Sequence, residues 1–302
     1  MLEANGKNAL RMCSTCQGTS DLLEISEKCL KPTEVRCFGS STVLCMKALR
    51  LIPSLSLLAC VALSAAQSLD VFAAASLKES ATEIARAFEK KHPGVKISLN
   101  FAGSQQLSAQ IRQGAPVDVL LSAGMEPLKS LTYDRSSLRV FASNALVIVV
   151  PAGSGKIHYL KDLSNGFHLI VADRRVPIGN YTEKMLDKAA KAYGLAWRKQ
   201  FEANVVSREQ DVRAVLTKIK LKEADAGIVY MTDAKSARGK VDPIYLQKEF
   251  NVTAEYPAVT FKGSANSKLA QEFMRFLNQG EAALILSNHG FLMSARFGAA
   301  AK

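Results

Sequence analysis

From Gln67 onward, short apolar runs alternate with stretches whose apolar residues recur at helical spacing. Residues 69–74, 95–101, 117–122, 145–150, 168–172 and 226–230 read as strands, and 77–91, 105–113, 179–193 and 210–220 as helices between them. That order predicts an α/β chain in which mostly parallel sheets are covered by helices on both faces. The run at 145–150 ends in the breaker cluster Pro151-Ala152-Gly153-Ser154-Gly155, and after Tyr230 the pattern turns to loops and a β-rich stretch at 253–261. Helices at 266–279 and 281–288 close the chain. A first lobe interrupted by a second and then resumed accounts for this order. We place lobe 1 at 67–146 and 240–302 and lobe 2 at 147–239, with a cleft between.

The cysteines divide the chain at a different point. Cys13, Cys16, Cys29, Cys37, Cys45 and Cys60 all precede Val61, so everything after it has neither disulfides nor a thiolate metal site. At that boundary Met46-Lys47-Ala48-Leu49-Arg50 is basic, residues 51–63 are rich in Leu, Ala and Val, and Ser64-Ala65-Ala66 supplies small residues. These are the three regions of a secretory signal peptide at 46–66, with cleavage expected near Gln67. The apolar stretch is shorter than the roughly 20 residues of a membrane span. Cys60 is an alternative lipid-anchor position. Residues 1–45 show no periodicity, and the lone Cys13-x-x-Cys16 lacks the second ligand pair of a zinc module. They read as an extension upstream of a start at Met46.

Net charge does not assign a function. The chain carries +12, but its Lys and Arg are scattered along helices and form no basic tract interleaved with aromatics, so nucleic acid is not an expected partner. His92, His158, His168 and His289 are dispersed without metal-ligand spacing, and no Ser lies in a GxSxG elbow. Neither a metalloenzyme nor a hydrolase has support here; no cofactor is expected.

In open α/β sheets, ligands sit where strands end and helices begin. Five segments fit that position: Ala73-Ala74-Ala75-Ser76, Phe101-Ala102-Gly103-Ser104, Val176-Pro177-Ile178-Gly179-Asn180-Tyr181, Ser207-Arg208-Glu209-Gln210-Asp211-Val212-Arg213, and Gly227-Ile228-Val229-Tyr230. A helix N-terminus offers unpaired N–H groups at the positive end of its dipole and holds an anion without lysine or arginine. A single Ser there is more often an N-cap; five such loops in one chain point to an anion or polar small-molecule site.

The segments LDVFAAAS (69–76), FAGSQQL (101–107), GAPVDVLLSA (114–123), VPIGNY (176–181), EQDVR (209–213), GIVY (227–230) and EYPAV (255–259) resemble, in the same order, the molybdate-binding proteins of ABC transporters. The resemblance spans roughly residues 69–291. It implies the two-lobed periplasmic-binding-protein fold of type II and an exported protein that passes molybdate or tungstate to an ABC permease and its ATPase. Carried over by motif, Ser76 and Ser104 would each give a hydroxyl and a backbone N–H, Ile178 and Val212 backbone N–H groups, and Tyr230 its phenol. It implies a monomer that binds the oxyanion itself, with no cation ligands. Ile178 stands where the family often has a smaller residue. The carboxylates of six-coordinate tungstate sites are not evident, Asp173 and Asp211 reading as turn and helix-start residues. Sulfate, another tetrahedral dianion, is the alternative ligand.

Overall fold

The computed structural model describes residues 67–293; the six cysteines, the expected signal at 46–66 and the extension at 1–45 lie outside the described residues. The first lobe opens with β1 (Gln67–Ala74), α1 (Lys78–Lys91), β2 (Val95–Ala102), α2 (Ser104–Arg112) and β3 (Val119–Leu121). The last four residues of β1 are all buried, as expected of a strand covered on both faces. It pairs in parallel with β2 on one side and β3 on the other.

β4 (Arg139–Asn144) carries the chain to the cleft, and β5 (Leu146–Pro151) carries it away into the second lobe. There follow β6 (Leu169–Ala172), α3 (Pro177–Tyr193), α4 (Leu195–Ala203), β7 (Val205–Glu209), α5 (Val212–Lys220), β8 (Ala226–Tyr230), α6 (Met231–Ser236) and β9 (Val241–Tyr245). The return is β10 (Ala254–Thr260), followed by α7 (Ser267–Leu277) and α8 (Gly280–Asn288). Each sheet has five strands, in the orders β2-β1-β3-β10-β4 and β7-β6-β8-β5-β9.

Only β10 and β5 run against their neighbours. Both are the strands on which the chain enters a lobe from the other one. The parallel strands end at the cleft, so a strand that starts there must point the opposite way. Each lobe is therefore a mostly parallel sheet with one reversed strand, flanked by helices.

The core explains why these segments fold as they do. In α7, Leu269, Ala270, Phe273, Met274, Phe276 and Leu277 are buried, the spacing of one broad helical face. Phe88 of α1 meets Phe273 and Phe276 edge-on, with ring centroids 5.3 and 5.5 Å apart. Burying each such ring stabilises the fold by about 1.5–3 kcal/mol.

Five elements were not expected from periodicity: β4, α4, β7, α6 and β9. β4 reads Arg-Val-Phe-Ala-Ser-Asn and β7 Val-Val-Ser-Arg-Glu, too polar to stand out as apolar runs. β9 contains Pro243 and is tolerated at a sheet edge, where one side needs no ladder partner. The expected return to the first lobe at 240 falls before β9, yet β9 pairs with β5, so its five residues belong to the second sheet.

Candidate functional site

The two sheets direct their strand ends at each other across the cleft. From the first lobe, β1 runs into the short 3-10 turn Ala75–Leu77, which holds Ser76, and β2 is followed by Gly103 and the first residue of α2, Ser104. From the second, Ile178 lies in the first turn of α3, Val212 opens α5, and Tyr230 ends β8. All five line one cavity of about 20 Å3, together with Gly103, Ala123, Pro177 and Asp211. This is below the roughly 300–1,000 Å3 of sites for drug-sized molecules and suits a small ion. Ser104 and Tyr230 are each only 1% exposed, so one hydroxyl from each lobe is held away from bulk water.

The hydroxyls do not cap helices. α2 is capped by Gly103, whose N–H donates to Gln106 Oε1 at 3.0 Å, which leaves Ser104 free. Ser104 Oγ instead accepts the N–H of Ala123 at 3.0 Å, and Ser76 Oγ lies 3.0 Å from Tyr256 Oη. Ile178 and Val212 sit in first turns, where the helix itself supplies no carbonyl to take their N–H groups. Asp211 is the one acidic residue on the wall, and its Oδ1 accepts from Arg213 N at 2.7 Å and Ala214 N at 3.0 Å. It caps α5 as expected.

Close approach of one helix depends on Gly179. A Cβ built there would lie 1.9 Å from the carbonyl oxygen of Asp173, so only glycine lets the first turn of α3 come this near to the end of β6.

Tyr230 Oη is buried and makes no hydrogen bond among the described residues. Burial, and then the neighbouring Tyr256, push its phenol well above the ordinary range, so it keeps its proton. The backbone N–H of Tyr230 donates to Asp233 Oδ2 at 3.3 Å. Burial pushes the Asp233 carboxyl up to about 7, although Arg213 Nε lies 2.9 Å away and opposes the rise.

Contacts across the cleft hold the lobes together around this cavity. Gln105 Nε2 donates to the Gln210 carbonyl at 2.8 Å, and Gln106 Nε2 to Gln210 Oε1 at 2.9 Å. Arg213 Nη1 donates to Glu79 Oε1 at 3.0 Å, and its Nη2 to the other carboxylate oxygen. Tyr181 Oη accepts the N–H of Glu255 at 3.2 Å. Sequence reasoning missed Glu79, Asn144 and Tyr256; the last stands in the EYPAV segment, a signal that was visible without its meaning.

Two α/β lobes that close on a small cavity lined by helix N-termini and neutral hydroxyls define a two-lobed solute-binding protein. The profile of the family described as bacterial extracellular solute-binding protein matches residues 69–292. The molybdate-binding protein ModA of Mycobacterium tuberculosis H37Rv is 34% identical over 233 residues, covering 75% of this chain and 85% of that protein. The periplasmic molybdate-binding protein of Azotobacter vinelandii aligns with a TM-score of 0.65 at 22% identity, over 75% of this chain and 99% of that one. The sulfate-binding protein SubI of M. tuberculosis aligns with a TM-score of 0.67 at 20% identity, over 76% and 88%. At these identities the two structural likenesses speak for the fold alone. The chain belongs to the bacterial extracellular solute-binding proteins and, within them, to the ModA family of molybdate-binding proteins.

Proposed function

We propose that this protein captures molybdate, or the nearly equal-sized tungstate, outside the cytoplasm and delivers it to an ABC permease and its ATPase. The observation that carries the reading is the convergence of Ser76 and Ser104 from one lobe with Ile178, Val212 and Tyr230 from the other on one small cavity. Every donor in that set is neutral. A tetrahedral dianion accepts many hydrogen bonds, and charge-assisted ones contribute about 1.5–3 kcal/mol each. A handful of them supports micromolar binding or better, about −8 kcal/mol, after ordering costs. Because the donors come from both lobes, the ion itself favours the closed arrangement.

The remaining parts of the reading follow from this one. Residues 46–66 act as the export signal, with Cys60 as the alternative lipid-anchor point. The site is complete within one chain, which suits a monomeric carrier that binds and releases its ion unchanged and catalyses no reaction. Thermal melting tests the ligand class. A ligand that binds only the folded state raises the melting temperature by mass action. Molybdate and tungstate should raise it and sulfate at the same concentration should not. A rise with sulfate alone would replace the proposed ligand.

A further inference from the structure

Ser76 and Tyr256 are both buried and their oxygens are 3.0 Å apart, a distance that leaves open which one donates. The surroundings decide it. Asn144, fully buried at the end of β4, accepts the backbone N–H of Ala145 on Oδ1 at 3.0 Å. A backbone N–H can face only the amide oxygen, so the amide orientation is fixed and Nδ2 points the other way. Nδ2 donates to Thr232 Oγ1 at 2.9 Å and faces Tyr256 Oη at 3.4 Å.

Tyr256 Oη thus has two hydrogen-bond partners among the described residues, and one of them, Asn144 Nδ2, has no lone pair to offer. Tyr230, whose ring centroid lies 5.8 Å from that of Tyr256, makes no hydrogen bond through its Oη among the described residues, so the one hydrogen-bonded acceptor there for the phenolic proton is Ser76 Oγ. Leaving it without one would cost the desolvation of a buried donor. Tyr256 therefore donates to Ser76, and the proton of Ser76 is left for the cavity. Ser104 reaches the same state by a shorter route, since its Oγ accepts the N–H of Ala123.

We propose that Tyr256, oriented by Asn144, is a positioning residue that fixes Ser76 as a donor toward the ligand. This rests on the oxyanion reading of the site. It adds a specificity device: at both serines a fully deprotonated oxygen is matched, whereas an oxygen carrying a proton meets another O–H. The relay also starts at the point where β4 passes to β5, and Asn144 bonds to Thr232 of the second lobe and to Tyr256 of the first. The donor set is therefore completed where the lobes join.

The test is a double-mutant cycle of Ser76→Ala and Tyr256→Phe in the full chain, read by calorimetric titration with molybdate and with hydrogen phosphate in mildly alkaline buffer. Circular dichroism melts establish that each variant is folded. Tyr256→Phe is expected to weaken molybdate binding about tenfold, the loss of one charge-assisted bond. In the Ser76→Ala background the same change should have little further effect. Tyr256→Phe should also narrow the preference for molybdate over hydrogen phosphate, because Ser76 regains freedom to accept. A role in packing alone would weaken both anions in proportion and act equally in both backgrounds. That additive result, or unchanged molybdate affinity in Tyr256→Phe, overturns the inference while the ligand reading stands. Failure of the folded unsubstituted protein to bind molybdate overturns the ligand reading and with it the inference.

Discussion

Arg213 and Glu79 lie 134 residues apart in the chain and meet across the cleft, guanidinium to carboxylate, with both Arg213 terminal nitrogens engaged. Arg213 stands in the first turn of α5, one residue beyond Val212, and Glu79 in the first turn of α1, three beyond Ser76. The pair therefore joins two helices whose N-termini face the ligand cavity. It exists only when the lobes are together, which makes it a latch on the closed form.

Replacing Glu79 by Gln removes the charge from that latch and keeps its shape. Glu79 is partly solvent-exposed, and pairs of this kind contribute about 0–1 kcal/mol. The expected loss of ligand affinity is up to about fivefold, carried by faster release since the latch forms after the ion enters. Stopped-flow dissociation measures it. An unchanged release rate would deny the pair any part in closure.

Tyr230→Phe separates binding from stability. Its hydroxyl is buried without a hydrogen-bond partner among the described residues, so deleting it removes a desolvated polar group from the ligand-free fold. The ligand-free melting temperature should stay level or rise, while affinity falls about tenfold. A destabilised ligand-free variant with intact affinity would move Tyr230 from the site to the scaffold.

Gly179→Ala tests the approach of α3. The added methyl would start 1.9 Å from the Asp173 carbonyl oxygen, so helix or strand must move. Overpacking of this kind costs about 1–3 kcal/mol. Because the shift falls beside Ile178, the variant should both melt lower and bind less tightly. Full affinity in a destabilised variant would show that the first turn of α3 is not part of the donor set.

The buried carboxyl of Asp233 gives a pH dependence with a defined sign. Its ordinary value of 3.8 rises to about 7 in the fold, through burial first and against the pull of Arg213. Between those values the folded protein keeps a proton that the unfolded chain has released. The contribution to stability is complete below the ordinary value and is lost as pH rises to about 7. Asp233→Asn should flatten that fall in the melting temperature over the same interval. A slope unchanged by the substitution would assign it to other groups.

Much of the fold is legible in the sequence because its parallel strands are buried on both faces and stand out as apolar runs. The five strand-to-helix loops follow from the same pattern, whereas the choice of Ser76, Ser104, Ile178, Val212 and Tyr230 within them comes from the family resemblance. What periodicity does not carry is pairing at long range. Glu79 meets Arg213 only where the two lobes come together, Asn144 meets Tyr256 only through the return of the chain to the first lobe, and each residue alone reads as an ordinary helix or strand position. β4 and β9 were also missed, because polar side chains and Pro243 hide strands that the sheets nevertheless accept.

The central claim is that the cavity between the lobes holds molybdate or tungstate through neutral donors from both lobes. Calorimetric titration of the purified protein with molybdate and tungstate, repeated in excess sulfate, tests it most directly. The account predicts tight one-to-one binding of both ions that sulfate does not displace. Folded protein that takes up neither, or that yields them to sulfate at equal concentration, would contradict it.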